Sequence, residues 1–234
     1  MNLPSYPPEN NRPFLTWQRI IDWGQEHYRY RSFDKDEKIP TRQGLLYIVQ
    51  KGTVRLVGTS QMNPMSNKIP TQFNDENDLN DSSLEEAFLG FVRSGQPFEI
   101  LAQSGFGLEA FAHVDETDVL WFYWHDLDNW PAFRKEVLEA FKYQHQRKLL
   151  WLSILGKRRT IDRLFGFLTL LVEEFGESTK DGYYLPFPLT HSQIGSAIGS
   201  TRVTVTRLMG KLRKLGLVYN DDDNFICLPI DKSS

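Results

Sequence analysis

Residues 189–218 combine cationic and threonine side chains with no carboxylate to oppose them. Between Thr190 and Asn220 the sequence contains no aspartate or glutamate. The cations in this stretch are Arg202, Arg207, Lys211, Arg213 and Lys214. Guanidinium groups donate paired hydrogen bonds to guanine, valine contacts the thymine methyl group, threonine reaches base edges or phosphate, and lysine neutralises phosphate. The chemistry that this stretch indicates is recognition of the major groove of double-stranded DNA.

The spacing around these residues predicts two short helices joined by a tight turn. Thr190 followed by Gln193 is a capping-box pattern, so a helix begins there, and Gly199 is suited to end it. Ser200 is the predicted cap of a second helix over residues 200–214. Apolar residues at helical steps are expected to be buried between the two helices. These residues are Ile194, Ile198, Val205, Leu208, Leu212 and Leu215.

The opposite face of the second helix is predicted to be exposed. It carries Val203, Thr206, Arg207 and Gly210, with Arg202 at the N-terminal end. A basic helix that is merely solvated is the alternative interpretation, because runs of charge usually lie on the surface. The caps, the glycine turn, the buried spacing and the absence of acids agree with one another, and together they favour DNA binding.

Two short apolar runs at 217–219 and 225–228 flank NDDDN, which has the composition of a hairpin turn. They predict a two-stranded wing. Three aspartates at 221–223 would repel phosphate, so we expect the wing to support the fold. A further helix is predicted before the helix pair, and Gly176 ends it. Together with the helix pair and the wing, it makes residues 157–234 a winged helix-turn-helix domain.

Residues 132–155 lack glycine and proline and repeat apolar residues at steps of three and four, which predicts one long helix. Its second half, LLWLSIL at 149–155, is apolar on more than one side. Such a helix packs on its own domain and on a second surface, and the same helix of a second copy is the simplest candidate. We therefore expect residues 131–156 to form a homodimer contact. The residues predicted for it are Leu138, Phe141, His145, Leu149, Leu152 and Leu155.

The first 130 residues have a different pattern. FLTWQRIIDWGQEHY at 14–28 has helical spacing, whereas short runs rich in Val, Ile, Tyr and Phe follow from residue 31 and predict strands. The predicted strands lie at 45–50, 53–58, 87–94, 98–103 and 119–124. Residues 58–83 are dominated by Asn, Ser, Asp, Pro and Met and predict a long mobile hairpin loop. The fold class is therefore α+β.

The run IGSTRVTVTRL at 198–208 closely resembles the recognition helix of the CRP/FNR superfamily of bacterial transcription regulators, in particular the cyanobacterial nitrogen regulator NtcA and its relatives. The resemblance weakens through the long helix and holds only in outline for the β-rich part. It implies a β-roll over residues 1–130, similar to a cyclic-nucleotide-binding jelly roll. It also implies a homodimer joined through the long helices, a palindromic DNA site, and RNA polymerase as a further partner.

The same resemblance assigns roles to individual residues. It implies that Arg202, Val203 and Arg207 read bases, and it favours half-sites related to GTA over GTGA. The implied neighbours of phosphate or bases are Thr190, His191 and Thr204. The complete predicted DNA-binding set is Thr190, His191, Ser200, Thr201, Arg202, Val203, Thr204, Thr206, Arg207 and Lys211.

The β-rich part departs from this family where an effector would bind. A cyclic-nucleotide pocket needs an arginine for the phosphate, yet residues 94–133 contain no lysine or arginine. An anion buried there without a cation would face a heavy desolvation cost, so we expect no cAMP binding. The same argument weakens 2-oxoglutarate, because Gln144 stands where the resemblance places an arginine. The residues that the match assigns to such a pocket are Phe98, Glu99, Ile100, Leu101 and Gln144.

Two other roles for the N-terminal part stay open. One is sensing of 2-oxoglutarate or another small molecule, and the other is a platform for protein interaction. A metal-dependent enzyme is a weaker third interpretation, in which Glu109 and His113 share one face of a helix. The chain has no H-x-H or H-E-x-x-H pattern. We therefore predict a regulator and not an enzyme, with no cofactor and no metal.

The composition is typical of a folded globular protein, with 40% hydrophobic and 24% charged residues and a net charge of −3. Apolar runs are far shorter than the roughly 20 residues of a membrane-spanning helix, and the N-terminus lacks the pattern of a secretory signal. A single cysteine, Cys227, excludes internal disulfides and cysteine-ligated clusters within one chain. The expected location is the cytoplasm, with no membrane contact.

Overall fold

The computed structural model describes residues 18–27, 29–60, 86–100, 106–180, 182–220 and 225–229. These residues form two compact units, one up to Val137 and one from Leu138. The N-terminal unit is mainly β and the C-terminal unit is mainly helical, which confirms the α+β class. Within the described ranges, no helix combines the length and the apolar character that crossing a membrane requires.

The N-terminal unit begins with helix α1 (Gln18–Glu26), and its strands form two antiparallel sheets. The strands are β1 (Tyr30–Phe33), β2 (Lys38–Ile39), β3 (Leu45–Lys51), β4 (Thr53–Ser60), β5 (Glu86–Arg93), β6 (Pro97–Phe98), β7 (Phe106–Ala112) and β8 (Thr117–Tyr123). One sheet has the order β1-β8-β3-β6 and the other the order β2-β7-β4-β5. A 3₁₀ helix at Trp124–Asn129 follows β8.

Both sheets contribute to one hydrophobic core in this unit. Five consecutive residues of β3, from Leu45 to Val49, are buried, which is typical of a strand that is covered on both faces. The ring of Tyr47 stacks on Phe98 with centroids 5.1 Å apart. Apolar residues from β4, β7 and β8 complete the core, because alternate side chains of each strand point inward.

Four of the five predicted strands are present as β3, β4, β5 and β8. For the fifth prediction, residues 98–103, Phe98 lies in strand β6, whereas Glu99 and Ile100 are not in a strand. Residues 101–103 lie outside the described ranges. The start of the predicted loop is wrong, since β4 pairs with its neighbours as far as Ser60. The rest of that loop lies outside the described residues.

The helix proposed for Glu109 and His113 is wrong, because this segment is strand β7. It pairs with β4 on one side and β2 on the other, and these ladders override the local pattern. Glu109 accepts a hydrogen bond from Lys38 Nζ at 2.6 Å, and the ring of buried His113 lies 4.6 Å from that of Phe91. Nowhere in the described part of the chain do three metal-binding side chains cluster.

Residues 94–133 contain no lysine or arginine, but cations from other parts of the chain pair with their acidic side chains. The Lys38 bond to Glu109 is one example, and it joins strands of the same sheet. Further pairs join Arg29 to Asp126, Lys51 to Glu116, and Arg134 to Asp128. In the folded chain, most of the acidic side chains at residues 94–133 are therefore balanced by a cation from outside this stretch.

The C-terminal unit contains most of helix α2 (Pro131–Leu155), followed by α3 (Thr160–Phe175), α4 (His191–Ile198) and α5 (Arg202–Lys214). A small antiparallel sheet accompanies them, with β9 (Glu177–Ser178), β10 (Gly182–Tyr184), β11 (Tyr219–Asn220) and β12 (Ile226–Pro229) in the order β11-β12-β10-β9. The long helix, the helix that ends before Gly176 and the paired wing strands agree with the sequence predictions. Strands β9 and β10 were not predicted.

Two polar side chains attach the second half of α2 to the rest of this unit. The guanidinium of Arg147 donates to Glu173 at 3.1 Å, to Glu174 at 3.4 Å and to the carbonyl of Leu170 at 2.6 Å, all on α3. The indole of Trp151 donates to the carbonyl of Ala197 on α4 at 3.1 Å. Burial alone lowers the pKa of Arg147, but the hydrogen bond to Glu173 and the neighbouring charges raise it above its ordinary value overall.

Candidate nucleic-acid interface

Helix α4 begins and ends as the sequence predicts. The hydroxyl of Thr190 accepts a hydrogen bond from the backbone N–H of Gln193 at 3.2 Å, and the side chain of Gln193 accepts from the backbone N–H of Thr190 at 3.0 Å. This reciprocal pair satisfies two donors that would otherwise lack partners. At the other end Gly199 adopts φ 61°, a left-handed conformation that costs little only for glycine.

The second helix begins two residues later than predicted. Helix α5 starts at Arg202, and its cap is Thr201, whose hydroxyl accepts from the N–H of Thr204 at 3.2 Å. Ser200 is instead part of the turn, where its N–H donates to the carbonyl of Gly195 at 2.9 Å. The observed cap of the second helix is therefore Thr201, and Ser200 belongs to the turn between the two helices.

The turn is tight because of Gly195. A Cβ atom built on this residue would lie 2.7 Å from the carbonyl oxygen of Ser200, which is closer than real Cβ contacts come. Only the absence of a side chain allows the two helices to meet here. Gly195 was not among the residues predicted for this turn, although a glycine one turn before the end of a predicted helix was a usable signal.

The buried face of the helix pair is close to the predicted one. Residues from both helices are fully buried: Ile194, Ile198, Val205, Met209 and Leu212. Leu215 is a wrong prediction, since it is 59% exposed. It follows the last residue of α5, where the chain turns at Gly216 with φ 69°, so helical spacing no longer places it. Met209 was missed, although it stands four residues after Val205.

The face predicted to be exposed is exposed. Val203 has 79% of its surface accessible, and Thr206 and Arg207 are also exposed. A Cβ atom on Gly210 would meet nothing within 4 Å. This face is therefore a ridge with one apolar side chain between polar and cationic ones, and another molecule can approach its backbone at Gly210.

The positive charge on this helix has no acidic partner among the residues that the structure describes. Among the described residues, none of the five cations of α5 takes part in an ion pair. Arg213 is held against the wing, since its Nε donates to the side chain of Asn220 at 3.0 Å. Arg202, Arg207 and Lys211 are exposed and available to an anionic partner.

His191 lies beside this face, at the first turn of α4. Its Nδ1 is 2.9 Å from the hydroxyl of Thr206 on α5. Burial, followed by the positive charges of Arg213 and Arg202, lowers the pKa of His191 below its ordinary value of 6.5. The residue therefore links the two helices, and its surroundings favour the neutral imidazole.

The two strands of the wing belong to the small sheet of the C-terminal unit. Strand β12 pairs with β11 and with β10, so the wing is one part of a four-stranded sheet. Residues 221–224 lie outside the described residues. The role predicted for the three aspartates stays a prediction.

The residues predicted for a dimer contact lie along one side of α2. Leu138, Leu149 and Leu152 are exposed in the single chain, Leu152 by 62%, and His145 is exposed too. Phe141 and Leu155 are partly buried. Leucines that project into solvent in this number on one helix are characteristic of a surface that another molecule covers.

The residues predicted for an effector pocket are divided between the two units, and one lies outside the described residues. Phe98 and Ile100 belong to the core of the N-terminal unit. Glu99 accepts a hydrogen bond from the indole of Trp124 at 3.0 Å. Gln144 is on α2 in the C-terminal unit, and Leu101 lies outside the described residues.

Comparison with known proteins identifies the helix pair. Residues 162–229 match the family model of the Crp-like helix-turn-helix domain. The global nitrogen regulator of Synechococcus elongatus is 36% identical over 88 residues, which are 38% of this chain and 40% of that protein. The global nitrogen regulator of Synechocystis sp. is 42% identical over 69 residues, 30% and 31% of the two chains. The matches thus span less than half of these relatives.

Solved structures extend the likeness of fold to most of the chain. A CRP/FNR-family transcriptional regulator from Thermus thermophilus has a TM-score of 0.58 at 22% identity, over 85% of this chain and 92% of that one. A cyclic nucleotide-binding domain containing protein from Listeria monocytogenes has a TM-score of 0.67 at 13% identity, over 89% and 95%. The chain thus has the fold of the CRP/FNR regulators and carries their Crp-like helix-turn-helix domain, whose sequence is similar to that of the cyanobacterial nitrogen regulators.

Proposed function

We propose that this protein is a sequence-specific DNA-binding transcription regulator that inserts α5 into the major groove. The observation that carries the proposal is the exposed face of α5, where Val203, Thr206 and Arg207 project together and no acid opposes them. This is the arrangement that a recognition helix needs, because bidentate arginine contacts and an apolar contact to a thymine methyl group distinguish base pairs. Its site of action is then the cytoplasm.

The cations divide into two roles. Arg202, at the first position of α5, and Arg207, one and a half turns later, stand where the N-terminal half of the helix enters the groove. Lys211 lies one turn further along the same side, where phosphate is the nearer partner. Base contacts determine which sequence is bound, whereas phosphate contacts contribute affinity for any duplex.

The test is binding of purified protein to a palindromic duplex with GTA-type half-sites and to a scrambled duplex, each at two salt concentrations. Arg207→Ala should cost about 1–3 kcal/mol on the palindrome and little on the scrambled duplex. Lys211→Ala should weaken both equally and reduce the salt dependence by about one counterion. Lys180→Ala, an exposed cation outside the helix pair, is the matched control and should change neither.

Two results would contradict this assignment. Equal losses on both duplexes for Arg207→Ala and Lys211→Ala would mean that neither residue reads bases. Wild-type protein that does not distinguish the palindrome from the scrambled duplex would mean that α5 does not recognise this type of site.

We further propose that two copies bind together through α2. The exposed leucines at 149 and 152 lie in the same segment of α2 that Arg147 and Trp151 attach to the DNA-binding unit. Contact between two such helices would therefore fix the separation of two recognition helices. RNA polymerase remains the partner that a regulator of this family would engage on the promoter.

For the N-terminal unit we propose a role without cAMP. Three cations of this unit already have acidic partners: Lys38 pairs with Glu109, Arg29 with Asp126 and Arg55 with Asp36. A neutral small molecule or a protein partner is compatible with this arrangement. Addition of 2-oxoglutarate to the binding assay distinguishes the cases, since a gain of affinity on the palindrome would show that this acid is an effector.

A further inference from the structure

A chain of two hydrogen bonds determines which nitrogen of His191 carries the proton. The hydroxyl of Thr206 lies 2.9 Å from His191 Nδ1 and 2.9 Å from the carbonyl oxygen of Arg202. A carbonyl oxygen can only accept, so the single hydroxyl hydrogen of Thr206 is given to Arg202. The imidazole must then be the donor, and Nδ1 carries the hydrogen. In the neutral ring Nε2 is left with a lone pair and no hydrogen.

This tautomer matters because of what His191 faces. The imidazole stands beside the exposed face of α5, next to Thr206, and it is itself partly exposed. The charged groups that act on it are Arg202 and Arg213, both cationic, and residues 190–220 contain no acid. A neutral Nε2 repels a phosphate oxygen, since both atoms present lone pairs. A protonated Nε2 donates a charge-assisted hydrogen bond to it.

Resting on the proposed function, we propose that His191 takes up a proton when the protein binds DNA, so that Nε2–H donates to a backbone phosphate while Nδ1–H stays on Thr206. In the free protein the two arginines and partial burial disfavour the imidazolium. In the complex the phosphate charge favours it. DNA binding is therefore coupled to protonation of one residue in the interface.

The direction of the pH effect follows from this coupling. The pKa of His191 is below 6.5 in the free protein and rises in the complex, because the protonated form is the one that binds phosphate. Affinity therefore increases as the pH falls through the interval between the two values. Uptake of one proton limits the gain to about tenfold per pH unit.

The first experiment measures the dissociation constant for the palindromic duplex and for the scrambled duplex between about pH 8.5 and about pH 6. Wild type should bind both more tightly toward low pH, because the contact is to phosphate. His191→Gln should lose this dependence, since glutamine does not titrate. His125→Gln removes an exposed histidine of the N-terminal unit and should keep the wild-type dependence.

Three outcomes would overturn the proposal. They are wild-type affinity that does not change with pH, a dependence that survives in His191→Gln, and a dependence that disappears in His125→Gln. In each of these the palindrome is still preferred and the proposed function stands. If wild type does not prefer the palindrome at any pH, the proposed function itself fails, and this proposal fails with it.

The second experiment needs no DNA. In a long-range proton–nitrogen NMR spectrum of the free protein above pH 8, His191 should show the Nδ1–H tautomer. Thr206→Val removes the hydroxyl at nearly constant shape and should convert the ring to the Nε2–H tautomer that free imidazoles favour, whereas Thr206→Ser should retain Nδ1–H. An Nε2–H tautomer in the wild type would refute the hydrogen-bond chain on which the proposal depends.

Discussion

Replacement of Arg147 by methionine should destabilise the C-terminal unit strongly, because it removes one guanidinium that three acceptors share. The Arg147 side chain is 14% exposed, and Glu174, one of its partners, is 13% exposed. Methionine preserves most of the aliphatic packing but leaves two partly buried carboxylates and the Leu170 carbonyl without this donor. Removing one partner of a buried ion pair costs about 3–5 kcal/mol. The Leu170 carbonyl, which lies inside α3, keeps its helical hydrogen bond and adds little to this cost.

Since Glu173 retains more contact with solvent than Glu174, we expect the lower part of this range, a loss of about 3 kcal/mol. That is a large fraction of the roughly 5–15 kcal/mol by which domains are stable. Urea unfolding followed by far-UV circular dichroism is a suitable assay, because helices α3 to α5 and most of α2 lie in the C-terminal unit. The transition of this unit should shift to clearly lower urea concentration.

Two further variants separate the ion pairs from general damage to α2. Adding Glu173→Gln and Glu174→Gln to Arg147→Met should recover about half of the lost stability, because neutral amides cost less to leave partly buried. Arg159→Met removes an exposed arginine that pairs with Asp162 and should leave the transition unchanged within error. If Arg147→Met is as stable as Arg159→Met, our assignment of Arg147 as the attachment between α2 and α3 is wrong.

Two glycines of the helix pair should respond oppositely to alanine in thermal unfolding. Gly195→Ala places a Cβ 2.7 Å from the Ser200 carbonyl oxygen and should lower the free energy of unfolding by about 2 kcal/mol. Gly210→Ala meets no atom within 4 Å and should raise it by about 0.5–1 kcal/mol through helix propensity. A change of the same sign in both variants would contradict the turn geometry. In sedimentation experiments Leu152→Glu should convert a dimer into a monomer, while Leu150→Glu, about 200° away around α2, should not. Dissociation by both variants, or by neither, would place the contact elsewhere.

The helix pair was predictable because its determinants are local. The reciprocal bonds of Thr190 and Gln193, the left-handed Gly199 and the helical steps of the buried residues all depend on neighbours within a few positions. The error over Ser200 has the same origin, since Ser200 and Thr201 are both preferred cap residues in sequence. The structure identifies the cap as Thr201, whose hydroxyl accepts from the N–H of Thr204.

The N-terminal unit was harder to predict because its determinants are distant in sequence. The residues that form its ion pairs and strand ladders are far apart in sequence, as in Arg29 with Asp126 and Lys38 with Glu109. A segment with Glu109 near its centre has no strong strand pattern alone, and it becomes a strand because β2 and β4 flank it. Because the partners are distant in sequence, the acids at residues 94–133 look unpaired in the sequence although most of them are paired in the fold.

The attachments of α2 also constrain the length of the chain. Arg147 and Trp151 face α3 and α4, while Leu149 and Leu152, interleaved with them, face outward. One residue inserted or deleted within this segment would rotate one set by about 100° relative to the other, so that the attachments and the outward leucines could not both keep their partners. Insertions and deletions therefore cannot accumulate in this part of α2, and its six residues from 147 to 152 must be inherited as a unit of fixed length.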